Sequence, residues 1–181
     1  MTSKLIPYLC LCLVLASSLF AEEKKGTSLV FDVPEGAKFE EKSKGQMEFY
    51  SITLKKDTSL GLLMISASPA PISEEMLKPM AEMMKLSFEK AMKENKDLVL
   101  KDTKSESREF KEGIWKGYEN RFVATTKGDQ KVFQLMYVLW DGERSWNAQY
   151  TGQEQDYDTV VQILRSIKRN AAAKPAQAPV T

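Results

Sequence analysis

The sequence predicts an α+β domain in which an antiparallel sheet of about six to seven strands is flanked by helices, an α/β/α sandwich with the order βββ-α-ββββ-α. Two groups of short β-branched and aromatic segments predict the strands, and two segments with helical spacing of apolar residues predict the helices. A continuous apolar run at residues 60–68 indicates a strand that is buried on both faces. Such a strand requires a helix on each side of the sheet.

The first group contains three predicted strands, at residues 29–33, 47–54 and 60–68. Pro34 ends the first strand because proline lacks the N–H group that a sheet needs. The polar residues 55–57 predict a turn between the second and third strands.

A long helix is predicted from Ser73 to about Asn95. Ser73 is a favourable N-cap, and the acidic Glu74 and Glu75 follow it where the helix dipole favours negative charge. Pro79 lies late for a first-turn proline, which predicts either a kink or a helix that properly starts near it. The apolar stripe of this helix consists of Leu77, Met80, Met84, Phe88 and Ala91.

The second strand group begins at residue 98, where the spacing returns to period two. Residues 98–100 and 108–110 are predicted as separate strand pieces, followed by a turn at residues 112–113. The next strand covers residues 114–126, and it is either one long strand or a bent one because Gly117 lies inside it.

A hairpin and a final helix complete the predicted domain. Residues 131–140 and 144–151 form the hairpin, with an Asp-Gly pair at residues 141–142 as its two-residue turn. Thr151 and Glu154 have the spacing of a capping box at the start of the helix. The apolar stripe of the helix consists of Tyr157, Val160, Val161, Leu164 and Ile167.

Residues 1–21 have the pattern of a secretory signal: a basic start, an apolar run and small residues before a charged segment. We therefore expect a secreted or periplasmic protein, with an uncleaved N-terminal anchor as the alternative. Residues 22–27 form an N-terminal extension, and residues 28–169 form a single domain. The Ala/Pro-rich residues 170–181 are predicted to be disordered.

Composition removes several classes of chemistry. The chain contains no histidine, which excludes His-metal sites and Ser-His-Asp triads formed by this chain alone. Both cysteines, Cys10 and Cys12, lie in the expected signal, and the leucine before each disfavours lipoprotein processing. Loss of Lys4 with the signal changes the net charge from +1 to 0, so we expect neither nucleic acid nor anionic lipid as a partner.

A group of methionines is the strongest candidate site, because thioethers bind Cu(I). Met80 and Met84 also lie on the apolar stripe, however, and methionine is a common filler of hydrophobic cores. We expect core packing, with a Cu(I) site on Met76, Met80, Met83 and Met84 as the alternative. An exposed, adaptable methionine surface is the third interpretation. The full group is Met76, Met80, Met83, Met84 and Met92.

Two weaker patterns predict no site. Ser87 and Lys90 match the S-x-x-K string of penicillin-interacting serine enzymes, but Ser87 is predicted in mid-helix and the companion strings are absent. Asp156 and Asp158 could bind calcium, yet acids at a helix start need no such role. We therefore predict no catalytic, cofactor-binding or metal-binding residue.

Five aromatic residues of the second strand group are also candidates. On strands, Trp146, Ala148 and Tyr150 share one face, and Trp140 shares a face with Val138 and Met136. We expect most of the five to lie in the sheet core, and a ring-lined groove for a peptide or glycan is the alternative. The five are Trp115, Tyr118, Trp140, Trp146 and Tyr150.

Three segments resemble the PsbP-like fold group, which includes extrinsic photosystem subunits, Mog-type Ran-binding proteins and the bacterial envelope protein DcrB. They are the opening FDVPEG at residues 31–36, the Gly-Tyr pair at residues 117–118 and the closing ILRSI at residues 163–167. The resemblance covers nearly all of residues 28–169, although its motifs are short. It implies a helix-flanked antiparallel sheet in a non-enzymatic accessory protein, and it assigns no catalytic residue.

The expected function is that of a non-enzymatic accessory protein that binds another protein of the cell envelope. We expect no cofactor, no nucleic-acid partner and no stable membrane span after signal cleavage. The alternative is a carrier of a small molecule or of Cu(I) on the methionine-rich helix. An enzyme is third, because only carboxylate, lysine, tyrosine and serine chemistry remain.

Overall fold

The computed structural model describes residues 21–44, 47–56, 59–68, 72–95 and 99–172. The expected signal segment before residue 21, the last residue of the predicted turn at residues 55–57, and the tail beyond residue 172 lie outside this part of the chain. The fold class is α+β, as predicted.

The described residues form ten strands and two α-helices, and a one-turn 3-10 helix precedes each α-helix, at Glu74–Met76 and at Glu154–Asp156. The elements in chain order are β1 (Ala21–Lys25), β2 (Leu29–Pro34), β3 (Lys38–Lys44), β4 (Met47–Lys56), β5 (Ser59–Ala67), α1 (Leu77–Glu94), β6 (Leu100–Glu112), β7 (Trp115–Thr126), β8 (Lys131–Trp140), β9 (Ser145–Gly152), α2 (Tyr157–Ser166) and β10 (Lys168–Arg169).

Seven strands form one antiparallel sheet with the order β3-β4-β5-β9-β8-β7-β6. The other three form a small antiparallel sheet with the order β1-β2-β10. Most neighbouring strands of the large sheet are also consecutive in the sequence, as in the β4-β5 hairpin and the β7-β8-β9 meander. The exception is the pairing of β5 with β9.

The main core lies between one face of the large sheet, which we call the inner face, and a layer made of α2 and the small sheet. Leu164 of α2 and Phe31 of β2 are both fully buried against this face. The Trp115 indole nitrogen on β7 donates a hydrogen bond of 2.8 Å to the Leu164 carbonyl oxygen. Aromatic pairs such as Trp115 and Trp146, with ring centroids 6.1 Å apart, fill the space between the layers.

Helix α1 packs on the opposite, outer face of the large sheet, over β6, β7 and β8. Leu77 and Ala81 are buried against Val138, and the Phe88 ring lies 4.4 Å from the Phe122 ring, centroid to centroid. The Asn120 side-chain amide donates a hydrogen bond of 2.8 Å to the Ala81 carbonyl oxygen. Helices therefore lie on both faces of the sheet, as predicted.

The prediction that residues 60–68 are buried on both faces is wrong. Leu63 and Ile65 are buried on the inner face, but Leu60 is 65% exposed and Met64 is 42% exposed on the outer face. The physical reason is that α1 covers only β6, β7 and β8. No described element lies over the outer face of β4 and β5.

The predicted strand pieces at residues 98–100 and 108–110 are parts of one 13-residue strand, β6, which begins at Leu100. Its polar middle, residues 101–107, was not recognised as strand because it has almost no buried side chain. Among the described strands β6 pairs with β7 alone, and charged side chains on such an edge discourage association with other strands.

Of the two alternatives for residues 114–126, the single long strand is confirmed, since β7 runs as one strand through Gly117. A Cβ atom at Gly117 would lie 2.0 Å from the Val138 carbonyl oxygen on β8, so a close approach of the two backbones explains the glycine.

The connection between β8 and β9 is a four-residue loop, residues 141–144, and not the predicted two-residue turn. The Asp141 carboxylate accepts hydrogen bonds of 2.8 Å from the backbone N–H groups of Glu143 and Arg144. This side-chain-to-backbone pattern stabilises a loop longer than the Asp-Gly signal indicates.

The helix starts differ in detail from the prediction. Neither Ser73 nor the residues before α2 make a side-chain capping bond, and Thr151 belongs to β9, so the capping box is wrong. α1 begins at Leu77, which confirms a helix start near Pro79. Because Pro79 lies in the first turn, where N–H groups have no intrahelical acceptor, it costs no helical hydrogen bond.

The ordered domain extends beyond both expected boundaries. β1 covers most of the expected N-terminal extension and pairs with β2. Asn170, which was assigned to the disordered tail, donates a 2.8 Å hydrogen bond from its side chain to the Gly26 carbonyl oxygen and another, from its backbone N–H, to that of Ser28.

We predict that Leu164→Ala lowers the free energy of unfolding by about 2–5 kcal/mol, because Leu164 is fully buried between α2 and the sheet. The matched control is Leu86→Ala on α1, where the side chain is 65% exposed and the change should stay within about 0.5 kcal/mol. Urea unfolding measures both. Equal losses would contradict this assignment of the core.

Candidate functional site

Four large apolar side chains are exposed on the outer face of β4 and β5. In the β4-β5 register, Phe49 pairs with Ser66 and Met64 with Ser51, which places Phe49 and Met64 diagonally across the two strands. We call these four residues the outer patch: Met47 (41% exposed), Phe49 (43%), Leu60 (65%) and Met64 (42%). Met47, Phe49 and Met64 are neighbours on this face, whereas Leu60 lies toward the other end of the two strands, beside Lys55. Neighbouring exposed apolar residues such as the first three mark interaction sites in soluble proteins.

The centre of the outer patch is concave. Phe49 and Met64, together with Lys42 of β3, line a shallow depression of about 250 Å³ that opens to solvent. Its surface is mostly apolar, so it suits the side chains of a macromolecular partner better than a polar small molecule.

Lysines surround the outer patch. Lys42 pairs in register with Phe49, and Lys55 pairs with Leu60. Neither Lys42 nor Lys55 forms an ion pair with a described residue. A third lysine, Lys38, lies 2.5 Å from the Glu40 carboxylate, and this contact lowers the pKa of Glu40.

One flank of α1 borders the uncovered strands. Glu89 accepts a hydrogen bond from Ser105 of β6, which identifies the flank that faces β6. The opposite flank, about half a turn away, carries Met76, Met80 and Met83 and therefore faces β9 and β5. Met76 is 50% exposed and Met83 is 59% exposed.

The structure divides the methionines of the predicted cluster. Met80 and Met84 pack against the cluster around Val138, as expected for core residues. Met76 and Met83 lie on the exposed flank, and Met92 is half-buried at the other end of the helix beside Phe88. The four methionines of the Cu(I) alternative therefore divide into two that pack against the core, Met80 and Met84, and two that are exposed, Met76 and Met83.

The structure shows where the residues of the two weaker sequence patterns lie. Ser87 and Lys90 are exposed in the middle of α1, as expected. Asp156 is buried and accepts a 2.6 Å hydrogen bond from the Tyr150 hydroxyl, whereas Asp158 is exposed. The two aspartates therefore do not face a common site.

Three of the five candidate aromatic residues, Trp115, Trp146 and Tyr150, are fully buried in the main core, which confirms the expectation for them. Tyr118 and Trp140 are half-buried next to α1. The ring-lined groove would need several of these rings at the surface, so it does not form from this set.

Sequence reasoning missed two buried carboxylates, of which Glu48 is the first. Its oxygens accept hydrogen bonds from Tyr50 (2.6 Å), Arg144 (2.7 Å) and Ser28 (2.8 Å). Burial acts to raise the pKa of Glu48, but these three donors and the Arg144 charge outweigh burial and lower it. The cluster joins β4, the residue before β2 and the β8-β9 loop.

Glu119 on β7 is the second buried carboxylate, with 1% exposure. It forms an ion pair with Arg108, whose Nε lies 2.9 Å from a carboxylate oxygen, and it accepts a hydrogen bond of 3.1 Å from the Tyr157 hydroxyl. Burial raises the pKa of Glu119, although the charge of Arg108 opposes the shift. A single acidic residue in a strand gives no periodic signal, which is why the sequence did not reveal it.

Two depressions of about 360 and 370 Å³ lie along the inner side of β6. Their basic and acidic side chains occur together, as in the pairs Arg121 with Glu154 and Arg165 with Glu112. The balanced charge favours no particular class of ligand.

Within the described residues, no group of three or more acidic side chains has the arrangement of a metal site. Neither α-helix of this part of the chain is long and apolar enough to cross a membrane. The sequence matches no protein-family model and no curated protein.

We predict that the two buried carboxylates change the pH dependence of stability in opposite directions. Glu48 has a lowered pKa, so its stabilisation is present above the unfolded-state pKa of about 4.3 and is lost as the pH falls. Glu119 has a raised pKa, so the folded state gains relative stability when it is protonated at acidic pH.

Glu48→Gln should therefore reduce the loss of unfolding free energy between about pH 7 and pH 4, and Glu119→Gln should increase it. Urea unfolding of the wild type and both variants at each pH measures this difference. Shifts in the same direction would contradict the opposite environments of the two side chains.

Proposed function

We propose that this protein is a secreted or periplasmic accessory protein that binds another macromolecule of the cell envelope through the outer patch and catalyses no reaction. The observation that carries this proposal is the uncovered half of the outer sheet face, with its four exposed apolar residues and surrounding lysines.

The cost of exposing these side chains supports a binding role. Each large apolar side chain left in water forgoes about 1.5–3 kcal/mol of burial energy. A wet sheet face normally carries polar residues, as β9 does with Asn147 and Gln149. A partner that covers Phe49 and Met64 recovers the burial energy in the complex.

The secretory part of the proposal rests on the signal pattern of residues 1–21. The PsbP-like resemblance is compatible with an accessory role, and the α+β architecture with two helix-covered faces agrees with it at the level of fold class.

The assignment as a non-enzyme is supported by what the distinctive polar residues do. Glu48 joins β4 to the residue before β2 and to the β8-β9 loop, and Asp156 accepts a hydrogen bond from the core residue Tyr150. These groups are engaged in the fold.

We predict that the double variant Phe49→Ser with Met64→Ser loses association with the native envelope fraction while remaining folded. Both side chains are exposed, so the thermal midpoint should change little. The measurement is quantitative sedimentation of the purified protein with that fraction.

The matched control is Val99→Ser, which removes an apolar side chain that is 48% exposed before β6, away from the outer patch. It should bind as the wild type does. Equal binding by the double variant and the wild type would contradict the proposed function.

A further inference from the structure

We propose that the occupant of the outer patch is an amphipathic α-helix of a partner protein, acidic along one side, which lies next to α1 on the uncovered half of the outer face. This inference rests on the proposed function and specifies the chemistry of its partner.

The width of the uncovered surface fits one helix. α1 lies over β6, β7 and β8, and the described residues leave the outer face of β9, β5, β4 and β3 open. Neighbouring strands are about 4.8 Å apart, and packed helices lie about 8–10 Å apart. A helix packed against α1 would therefore lie above β9, with β5 and β4 beside it.

Apolar side chains flank the position of the docked helix on both sides. The wall formed by α1 carries Met76, Met80 and Met83, and the far side carries Met64 and Phe49. Flexible thioethers adapt to the side chains of a docked helix, as they do in other helix-binding grooves.

The floor between the two apolar sides is polar. The outer-face residues Asn147 and Gln149 of β9 are half-buried, and Met64 pairs with Gln149 in register. Their amides can donate and accept hydrogen bonds, which fits a helix whose apolar stripe is bordered by polar residues.

Charge determines the orientation of the partner. Lys38, Lys42 and Lys55 lie on the border away from α1, and Glu40 is the one acidic residue among the described outer-face positions of β3, β4, β5 and β9. Near its C-terminal end, the groove side of α1 carries Glu94, whose charge is balanced by Lys90 in an (i, i+4) ion pair. The side of the docked helix that faces β3 and β4 must therefore carry carboxylates.

The shape and charge of the surface disfavour a lipid bilayer and a second copy of this chain as occupants. A helix is about 10 Å thick, so α1 forms a step that holds a flat bilayer away from the sheet beside it. A second copy of this chain docked face to face would bring the same lysines, Lys42 and Lys55, close to each other.

The experiment uses site-specific photocrosslinking of the full chain in the cells that make it. Benzoylphenylalanine replaces Gln149 on the floor or Met83 on the wall, and Val99 is the control position. Mass spectrometry identifies each crosslinked segment. We expect both groove positions to link to one protein segment whose apolar residues recur every three or four positions and whose net charge is negative.

A charge swap completes the test. Lys42→Glu should lower the crosslink yield about tenfold, in the range expected for loss and reversal of an interfacial charge pair. Replacing the opposing partner carboxylate by lysine should restore the yield. Lys127→Glu, in the exposed turn after β7, is the control and should change nothing.

Crosslinks to lipid, to a second copy of this chain, or to a basic or non-helical segment would overturn the inference and leave partner binding by the outer patch intact. Crosslinks at Gln149 and Met83 that do not exceed those at Val99 would also overturn the inference, whereas the proposed function is overturned separately, by unchanged sedimentation of the Phe49→Ser with Met64→Ser variant.

Discussion

One helix cannot cover a seven-stranded sheet, and this constraint determines much of the structure. Strands spaced about 4.8 Å apart make the sheet about 29 Å wide, whereas a helix with its side chains is about 10–12 Å across. On the inner face, α2 and the small sheet β1-β2-β10 together complete the cover. On the outer face α1 acts alone among the described elements, and the half of the sheet formed by β3, β4 and β5 has no cover.

The inner layer shows how the chain completes a cover that one helix cannot provide. β2 inserts Leu29, Phe31 and Val33 into the same core as α2, and β10 and Asn170 attach the end of the chain to β2. Where this layer meets the edges of the sheet, the buried carboxylates Glu48 and Glu119 accept hydrogen bonds from neighbouring side chains. The described residues provide no comparable second layer on the outer face, and Phe49 and Met64 are exposed there.

The sequence was sufficient for the fold class, for α1 and α2, and for the strands with periodic apolar residues, because these patterns record burial directly. It failed for β6, whose residues 101–107 are polar because they lie on an exposed edge. The small sheet was not foreseen either, since β1 is charged and β10 has two residues. The apolar pattern of residues 60–68 predicts burial on both faces, but Leu60 and Met64 are exposed in the structure. Recognising the outer patch requires the position of α1 as well as that apolar pattern, and the position of α1 cannot be derived from the sequence.

On this interpretation, the outer face of β4 and β5 is open in the isolated chain and covered in the cell envelope. Methionine oxidation by dilute peroxide, followed residue by residue with mass spectrometry, tests it most directly because exposed thioethers react first. In the purified protein Met64 should oxidise nearly as fast as Met83, while the buried Met136 is protected. In the native envelope fraction Met64 and Met83 should both become protected. Protection of Met64 in the purified chain, or equal reactivity in both preparations, would contradict the account.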